Sequence, residues 1–212
     1  MVKTKINKTI EWFLKSFVFS LILSLYVAFA AVRRGRSLLA SYETIELLRL
    51  IYAVTASILF LIRSRPTKVD TNPWHWAVAF FTSFAAHFFI RVETETPFVI
   101  VPLVYVLLVI WFLVGSAAVL TLGRSFGFLP ALRRVKTGWI YRYVRHPMYL
   151  SAMLFKLAYV LQNPSLYNTA LFVCVVFLYD RRAGYEEALL LYDEDYVSYR
   201  TDVQYRFIPG LY

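Results

Sequence analysis

The chain has 212 residues, of which 59% are hydrophobic and 18% aromatic, with a mean hydropathy of +0.57. Soluble domains are nearer to about 45–50% apolar, so this composition excludes an ordinary soluble domain and indicates a membrane protein. The net charge of +10 does not indicate nucleic-acid binding, because the Lys and Arg residues lie between apolar stretches and not along one amphipathic face.

Long apolar segments predict transmembrane helices in the first two thirds of the chain. A helix needs about 20 apolar residues to cross a bilayer, and four segments approach or exceed that length: roughly 12–32, 44–62, 74–90 and 98–122. The fourth is the clearest, since it carries no charge. No linker or repeat divides the chain, so we expect one integral membrane domain over residues 1–212.

Two shorter apolar stretches, 148–161 and 165–179, flank Gln162-Asn163-Pro164-Ser165. Asn-Pro is a turn signal, so these stretches predict a tight helical hairpin. The expected fold class is therefore all-α: a polytopic membrane bundle of about six hydrophobic helices, followed by a cytoplasmic helical tail.

The distribution of basic residues predicts the orientation. Most Lys and Arg residues outside the spans fall on the side of the N-terminus, so the positive-inside rule places both termini in the cytoplasm. Arg33, Arg34, Arg36 and Arg91 are the exceptions. As an alternative for the first helix, Lys3, Lys5 and Lys8 before an apolar core ending at Ala28-Phe29-Ala30 also resemble a cleaved secretory signal.

Cysteine and histidine usage argues against metal chemistry. The one cysteine, Cys174, lies in an apolar run and is expected to be a buried thiol. His75, His87 and His146 show no ligand spacing, so we expect no metal site.

Within the spans, Lys156 stands midway along the first hairpin helix, where its charge either snorkels to the interface or lines a polar cavity. We favour the cavity. Gly115-Ser116-Ala117-Ala118 is expected to let a neighbouring helix approach closely.

Arg145-His146-Pro147 marks a helix start, because Pro147 suits the first helical position and His146 the N-cap. Free backbone N–H groups there, beside Arg145, predict an anion site. The alternative is an interfacial helix start with Arg145 on lipid head groups.

In the tail, Glu186 and Glu187 point about 100° apart on a helix, so only one needs to face a site. A buried carboxylate needs a cation, supplied either by a ligand or by Arg145, Arg181 or Arg182. Tyrosines spaced as one helical stripe are expected to form an interfacial belt: Tyr185, Tyr192, Tyr196 and Tyr199.

The polar segments resemble the isoprenylcysteine carboxyl methyltransferase and phospholipid methyltransferase superfamily. The resemblance covers roughly residues 100–212 and divides the domain into variable membrane helices, 1–97, and a cofactor-binding methyltransferase core, 98–212. It rests on these elements: Leu122-Gly123-Arg124-Ser125-Phe126, Thr137-Gly138, Arg145-His146-Pro147-Met148-Tyr149, Glu186-Glu187, Tyr196-Val197-Ser198-Tyr199 and Tyr205-Arg206-Phe207-Ile208-Pro209.

This resemblance implies a membrane methyltransferase that holds S-adenosylmethionine at the cytoplasmic face and takes a lipid-like acceptor from the bilayer. His146 and Glu187 are the implied catalytic residues, and Gly123 and Arg124 the implied substrate contacts. The implied cofactor contacts are Tyr143, Arg145, His146, Pro147, Tyr149, Glu186, Glu187, Tyr196 and Arg206.

The chain departs from the superfamily pattern at Ser151, where a glycine is usual. Segment 98–122 also lacks the charged residues that the carboxyl methyltransferases look to carry there, which argues against prenylcysteine carboxylate as the acceptor.

Two other functions stay open. The tail from Tyr205 to Tyr212 also resembles membrane sterol reductases, which would use NADPH. The third alternative is a non-catalytic lipid-binding membrane protein that binds neither cofactor.

Overall fold

The computed structural model describes residues 44–92 and 99–211, together with Ile22, Leu25 and Phe29. The predicted helix 12–32 and its signal-peptide alternative lie outside the described residues, except that these three residues are helical. The rest is mostly helical, in this order: α1 (Thr44–Ile62), β1 (Lys68–Val69), α2 (Pro73–Phe84), α3 (Val101–Leu122), β2 (Ala131–Leu132), α4 (Pro147–Gln162), α5 (Leu166–Leu190) and α6 (Glu194–Asp202). Short 3₁₀ turns occur at Ala85–His87, Gly123–Ser125 and Trp139–Arg142.

Helices α1 and α3 follow the prediction closely. Among the described helices, α3 with its 3₁₀ extension, Val101–Ser125, is the one long and apolar enough to cross a membrane. Helix α2 is shorter than the predicted 74–90. The Asn72 side chain caps its start by accepting from the Trp74 N–H at 3.0 Å, and the chain tightens into a 3₁₀ turn after Phe84. Its 12 residues are too few for a crossing.

The predicted hairpin forms, but its second helix continues well beyond residue 179. Ser165 caps α5, and Asn168 closes the turn by donating to the Asn163 carbonyl at 2.7 Å. The helix then runs to Leu190 because Arg182, instead of ending it, is buried and donates to the Ala79 carbonyl of α2 at 3.2 Å. On the outer side of α5, Cys174 is exposed, so the expectation of a buried thiol was wrong.

The prediction of an interfacial tyrosine belt along one helix was also wrong. Asp193 starts a new helix, because its side chain accepts from the Asp195 N–H at 3.0 Å. Tyr185 thus lies on α5 and stacks on His75, whereas Tyr192 lies in the turn. Tyr196 and Tyr199, on α6, are buried and form no interfacial belt.

Helices α3 and α4 approach closely at Gly115, as the small-residue segment predicted. A Cβ on Gly115 would lie 2.5 Å from the Ser151 hydroxyl oxygen, which donates to the Trp111 carbonyl at 3.0 Å. Ser151, where the superfamily usually has glycine, therefore forms a hydrogen bond between the two helices.

Strands β1 and β2 pair antiparallel, with Lys68 opposite Leu132 and Val69 opposite Ala131. Ser64 adds a bond from its N–H to the Arg124 carbonyl at 2.7 Å. These contacts fix the connection between α3 and α4 against the end of α1, and this connection lines the candidate site.

We predict that Gly115→Ala lowers the free energy of unfolding by about 1–3 kcal/mol, because the new methyl group displaces the Ser151 hydroxyl. Thermal unfolding of detergent-purified protein measures this. Gly184→Ala on α5 is the matched control, since a Cβ there meets nothing within 4 Å. Gly115→Ala combined with Ser151→Ala should recover most of the loss, and a Gly115→Ala protein as stable as wild type would contradict the packing argument.

Candidate functional site

A cavity of about 80 Å³ lies beside the first turn of α4, between the α3–α4 connection, the end of α5 and α6. We call it the α4 cavity. As predicted, Pro147 is the first residue of α4 and His146 its N-cap. The cavity lining combines basic, acidic and aromatic side chains, which include Arg133, Arg134, Lys136, Tyr141, Arg145, His146, Tyr149, Glu186, Tyr196 and Tyr199.

Directly behind this cavity, the Glu187 carboxylate is buried among three cationic or hydrogen-bonding side chains. Its Oε1 accepts from Arg145 Nε at 2.9 Å and from His146 Nε2 at 3.0 Å. Arg206 donates from Nη2 to Oε2 at 3.1 Å and from Nε to Oε1 at 3.2 Å. The Glu187 side chain is 3% exposed, so α4, α5 and the tail are joined through a buried carboxylate.

The network also fixes the charge of Glu187. Burial acts to raise the pKa of Glu187, but hydrogen bonds from His146, Arg206 and Arg145 outweigh it and hold that pKa well below its ordinary value of 4.5. Glu187 therefore joins Arg145, His146 and Arg206 as an ionised carboxylate, and its expected catalytic role stays a prediction.

The two backbone N–H groups just before α4 bind the tail. The N–H of Arg145 donates to the Tyr205 carbonyl at 2.9 Å, and the N–H of His146 donates to the Arg206 carbonyl at 2.8 Å. Arg145 Nη1 donates to the Val203 carbonyl at 2.8 Å. The tail is thus pinned across the first turn of α4.

Glu186, and not Glu187, faces the α4 cavity. Its Oε2 accepts from the Tyr149 hydroxyl at 2.6 Å, which holds the carboxylate at the cavity wall. The two neighbouring glutamates therefore have different surroundings: Glu187 is surrounded by protein cations, whereas Glu186 presents negative charge to the cavity.

Two polar atoms on the cavity wall have no hydrogen-bond partner among the residues that the structure describes: Arg133 Nε and Tyr196 Oη. Burial, with a smaller contribution from the charge of Arg63, lowers the pKa of the Arg133 guanidinium to about 10. Buried polar atoms are normally satisfied, so both atoms are suited to a polar ligand. Arg133 also packs against Gly127, where any Cβ would overlap the guanidinium.

Of the predicted site residues, five line the α4 cavity: Arg145, His146, Tyr149, Glu186 and Tyr196. Glu187 and Arg206 lie behind it in the buried network, and Pro147 is buried as the first residue of the helix. Tyr143 is exposed and does not line the cavity.

The predicted substrate contacts, Gly123 and Arg124, do not line the cavity either, although Leu122 and Ser125 on either side do. Gly123 ends α3 with a φ of 50°, a backbone conformation that favours glycine. Arg124 Nε donates to the Ile62 carbonyl at 3.1 Å and so ties this turn to α1.

Sequence reasoning missed Arg133, Arg134, Lys136, Tyr141 and Tyr199 as cavity residues. The three cations were interpreted as orientation signals, yet their position in the loop between two motif elements was a usable signal. Tyr199 donates to the Tyr141 carbonyl at 2.6 Å, a contact that spacing alone could not indicate.

The three histidines lie in separate surroundings: His75 contacts Asp70, His87 contacts the Phe84 carbonyl, and His146 contacts Glu187. Within residues 44–92 and 99–211, no group of three or more His, Cys, Asp or Glu side chains is arranged to hold a metal ion.

We predict that Glu187→Gln lowers the free energy of unfolding by about 3 kcal/mol at pH 7, because it leaves the buried Arg145 without its counter-charge. The pKa of Glu187 is depressed in the folded state, so its contribution is complete above pH 4.5 and is lost as the pH falls further.

The difference in melting temperature between wild type and Glu187→Gln should therefore be constant from pH 8 to pH 5.5 and narrow below pH 4.5. Glu194→Gln, at an exposed glutamate, is the control and should match wild type throughout. A difference that persists undiminished at pH 3 would contradict this account.

Comparison with known proteins bears on these residues. A family model described as phospholipid methyltransferase matches residues 97–192, from the segment just before α3 to the turn after α5. No curated protein matches the chain. The matched segment contains the first turn of α4, Glu186 and the basic loop that carries Arg133, Arg134 and Lys136, and it confirms the resemblance seen in the motifs. Over residues 97–192, slightly less than half of its length, the chain is similar to the phospholipid methyltransferase family.

Proposed function

We propose that this protein is an S-adenosylmethionine-dependent methyltransferase that binds its donor in the α4 cavity and acts on a lipid-like acceptor. One observation carries the proposal. The α4 cavity, formed largely by the family segment, presents a carboxylate together with two polar atoms that lack a partner among the described residues. The family implies methyl transfer, and the cavity residues support the choice of donor.

The residues fit the chemistry of this donor, which carries a carboxylate, an ammonium group, a sulfonium and an aromatic base. Arg133 would hold the carboxylate, Glu186 would face the positive charge, and the rings of Tyr149 and Tyr196 would pack on the base.

The size of the cavity requires movement on binding. Its volume of about 80 Å³ is well below the roughly 300 Å³ of small ligand sites, so we expect one wall to move outward. The connection over residues 133–138 has no helix or strand and is the wall best able to do so.

When bound, the donor supplies a methyl group already activated on its sulfonium. The protein therefore contributes mainly position, and correct alignment of reacting groups is worth up to about 7–11 kcal/mol. Tyr149 holds Glu186 in place, and the Glu187 network holds His146. Because Glu187 stays ionised and His146 Nε2 contacts it, neither is placed as a free general base.

The proposal places the chain in the membrane as a multi-pass protein, with the α4 cavity at the cytoplasmic face. In support, α3 exposes a large apolar surface, which includes Leu103, Val106 and Leu113. The loop beside the cavity carries Arg133, Arg134 and Lys136, as cytoplasmic loops commonly do. Residues 98–212 would form the catalytic core, with the preceding helices as a variable part of the same domain.

An NADPH-dependent reductase is the alternative to test, because Arg134 and Lys136 in this loop would also suit the phosphates of a nicotinamide dinucleotide. NADPH is therefore the comparison ligand in the experiment below.

We predict that calorimetric titration of detergent-purified protein shows saturable binding of S-adenosylmethionine. Glu186→Gln should weaken this binding about 10- to 100-fold, because it removes a charged hydrogen-bonding group from the cavity wall. Its melting temperature should change little, since it pairs with no protein cation among the described residues.

Glu194→Gln is the matched control and should bind the donor within about twofold of wild type. Saturable binding of NADPH without binding of the methyl donor would overturn the proposal in favour of a reductase. Binding of neither ligand would favour a non-catalytic protein.

A second prediction uses a pair of tyrosines on α6. Tyr196→Phe removes a hydroxyl that has no partner in the described part of the chain, so stability should be unchanged while donor affinity falls about 3- to 10-fold. Tyr199→Phe removes a hydroxyl that donates to the Tyr141 carbonyl, so it should lower the melting temperature. Donor affinity equal to wild type in Tyr196→Phe would remove this residue from the site.

A further inference from the structure

A second cavity, of about 320 Å³, lies among α1, α2, α3, α4 and α5; we call it the bundle cavity. It shares four wall residues with the α4 cavity: Gly127, Phe128, Met148 and Tyr149. Most of its remaining lining is apolar or aromatic, as at Tyr52, Trp111 and Phe155. A molecule in the bundle cavity would therefore be separated from the α4 cavity by a single layer of side chains.

Two buried cations line this cavity. Lys156 is 5% exposed and Arg182 is 4% exposed. Lys156 Nζ donates to the Tyr179 hydroxyl at 3.1 Å, and that hydroxyl donates to the Thr82 carbonyl at 3.0 Å. Arg182 Nη1 donates to Thr82 Oγ1 at 2.9 Å, so the two cations are linked through Tyr179 and Thr82.

The partners of these two cations are all neutral. Arg182 donates further to the Ser83 hydroxyl and the Phe128 carbonyl, and its Nε has no partner among the residues described. Among the described residues, neither Lys156 nor Arg182 forms an ion pair, and no aspartate or glutamate lines the bundle cavity. Burying a charge without a counter-charge is costly, so this arrangement favours an anion inside the cavity.

The two cations extend away from Tyr149, in the wall that the two cavities share. Arg182 Cζ lies 5.0 Å from the centre of the Tyr149 ring. Lys156 stands seven residues after Tyr149 on α4, about 10 Å further along the helix axis. Positive charge thus extends from the shared wall into a largely apolar space, whose lining also includes the partly exposed Arg49. A cationic or purely apolar molecule would not compensate it.

We propose that the bundle cavity is the acceptor site, and that it takes an amphiphile with an apolar chain and an anionic head group held by Lys156 and Arg182. The assignment of this molecule as the methyl acceptor rests on the proposed methyl transfer, whereas the anion site does not depend on it. The apolar chain would lie along the aromatic lining, and the head group would lie beside Tyr149.

The test measures binding of four eight-carbon amphiphiles to detergent-purified protein without any methyl donor: octanoate, octyl phosphate, octanol and octylamine. The variant Lys156→Met removes the charge and keeps an apolar stem, and Lys156→Arg keeps the charge. Lys68→Met, at an exposed lysine that lines neither cavity, is the control. Each variant is compared with wild type for one ligand at a time, so that partition into detergent cancels.

We expect Lys156→Met to weaken binding of at least one of the two anions about 10-fold or more while leaving octanol within about twofold. Lys156→Arg should retain most of the anion affinity. The stronger of octanoate and octyl phosphate identifies the head group as a carboxylate or a phosphate. Equal affinities of both anions in wild type and Lys156→Met, or binding of octylamine as tight as that of the anions, would overturn the proposal.

Titration of the same preparations with S-adenosylmethionine separates the two proposals. Donor binding without any preference for anions would leave the proposed function standing and remove the anionic acceptor. Anion binding that depends on Lys156, in a protein that binds no methyl donor, would leave the anion site and remove the methyltransferase.

Discussion

The buried carboxylate of Glu187 is the interaction on which the rest of the site depends. It receives hydrogen bonds from Arg145 and His146 at the start of α4 and from Arg206 in the tail. Because the carboxylate itself lies on α5, one side chain joins three segments that are distant in sequence. Without this negative charge, the cations would be buried with less compensation, and the tail would lose its hold on the first turn of α4.

Two neighbouring residues, Glu186 and Glu187, have different positions: one lines the α4 cavity and the other holds the surrounding segments together. Glu187 faces the protein and is saturated with donors, whereas Glu186 faces the α4 cavity and contacts Tyr149. A helix makes this possible, since successive side chains point about 100° apart. The Glu-Glu pair in the motif therefore combines a residue that holds the tail with a residue placed for a ligand, and the two respond differently to the same substitution.

The sequence predicted the family segment, the hairpin and the meeting of Arg145–Tyr149 with Glu186–Glu187, because motifs and turn signals are local. It could not predict that α5 passes residue 179, since the buried Arg182 is stabilised by α2, a contact between residues far apart in the chain. The tyrosine stripe was wrong because Asp193 capped a new helix. Which of Glu186 and Glu187 faces the α4 cavity depends on how α5 is rotated about its axis, and residue spacing does not determine that rotation.

Helix α5 also has a mechanical property that follows from its length. Its 25 residues form one continuous rod, with Arg182 on the bundle cavity and Glu186 on the α4 cavity one turn apart. A twist or slide of this rod would move both side chains at once. A ligand in one cavity would then change the affinity of the other cavity for its own ligand. Thermodynamic linkage requires such cooperativity to be reciprocal.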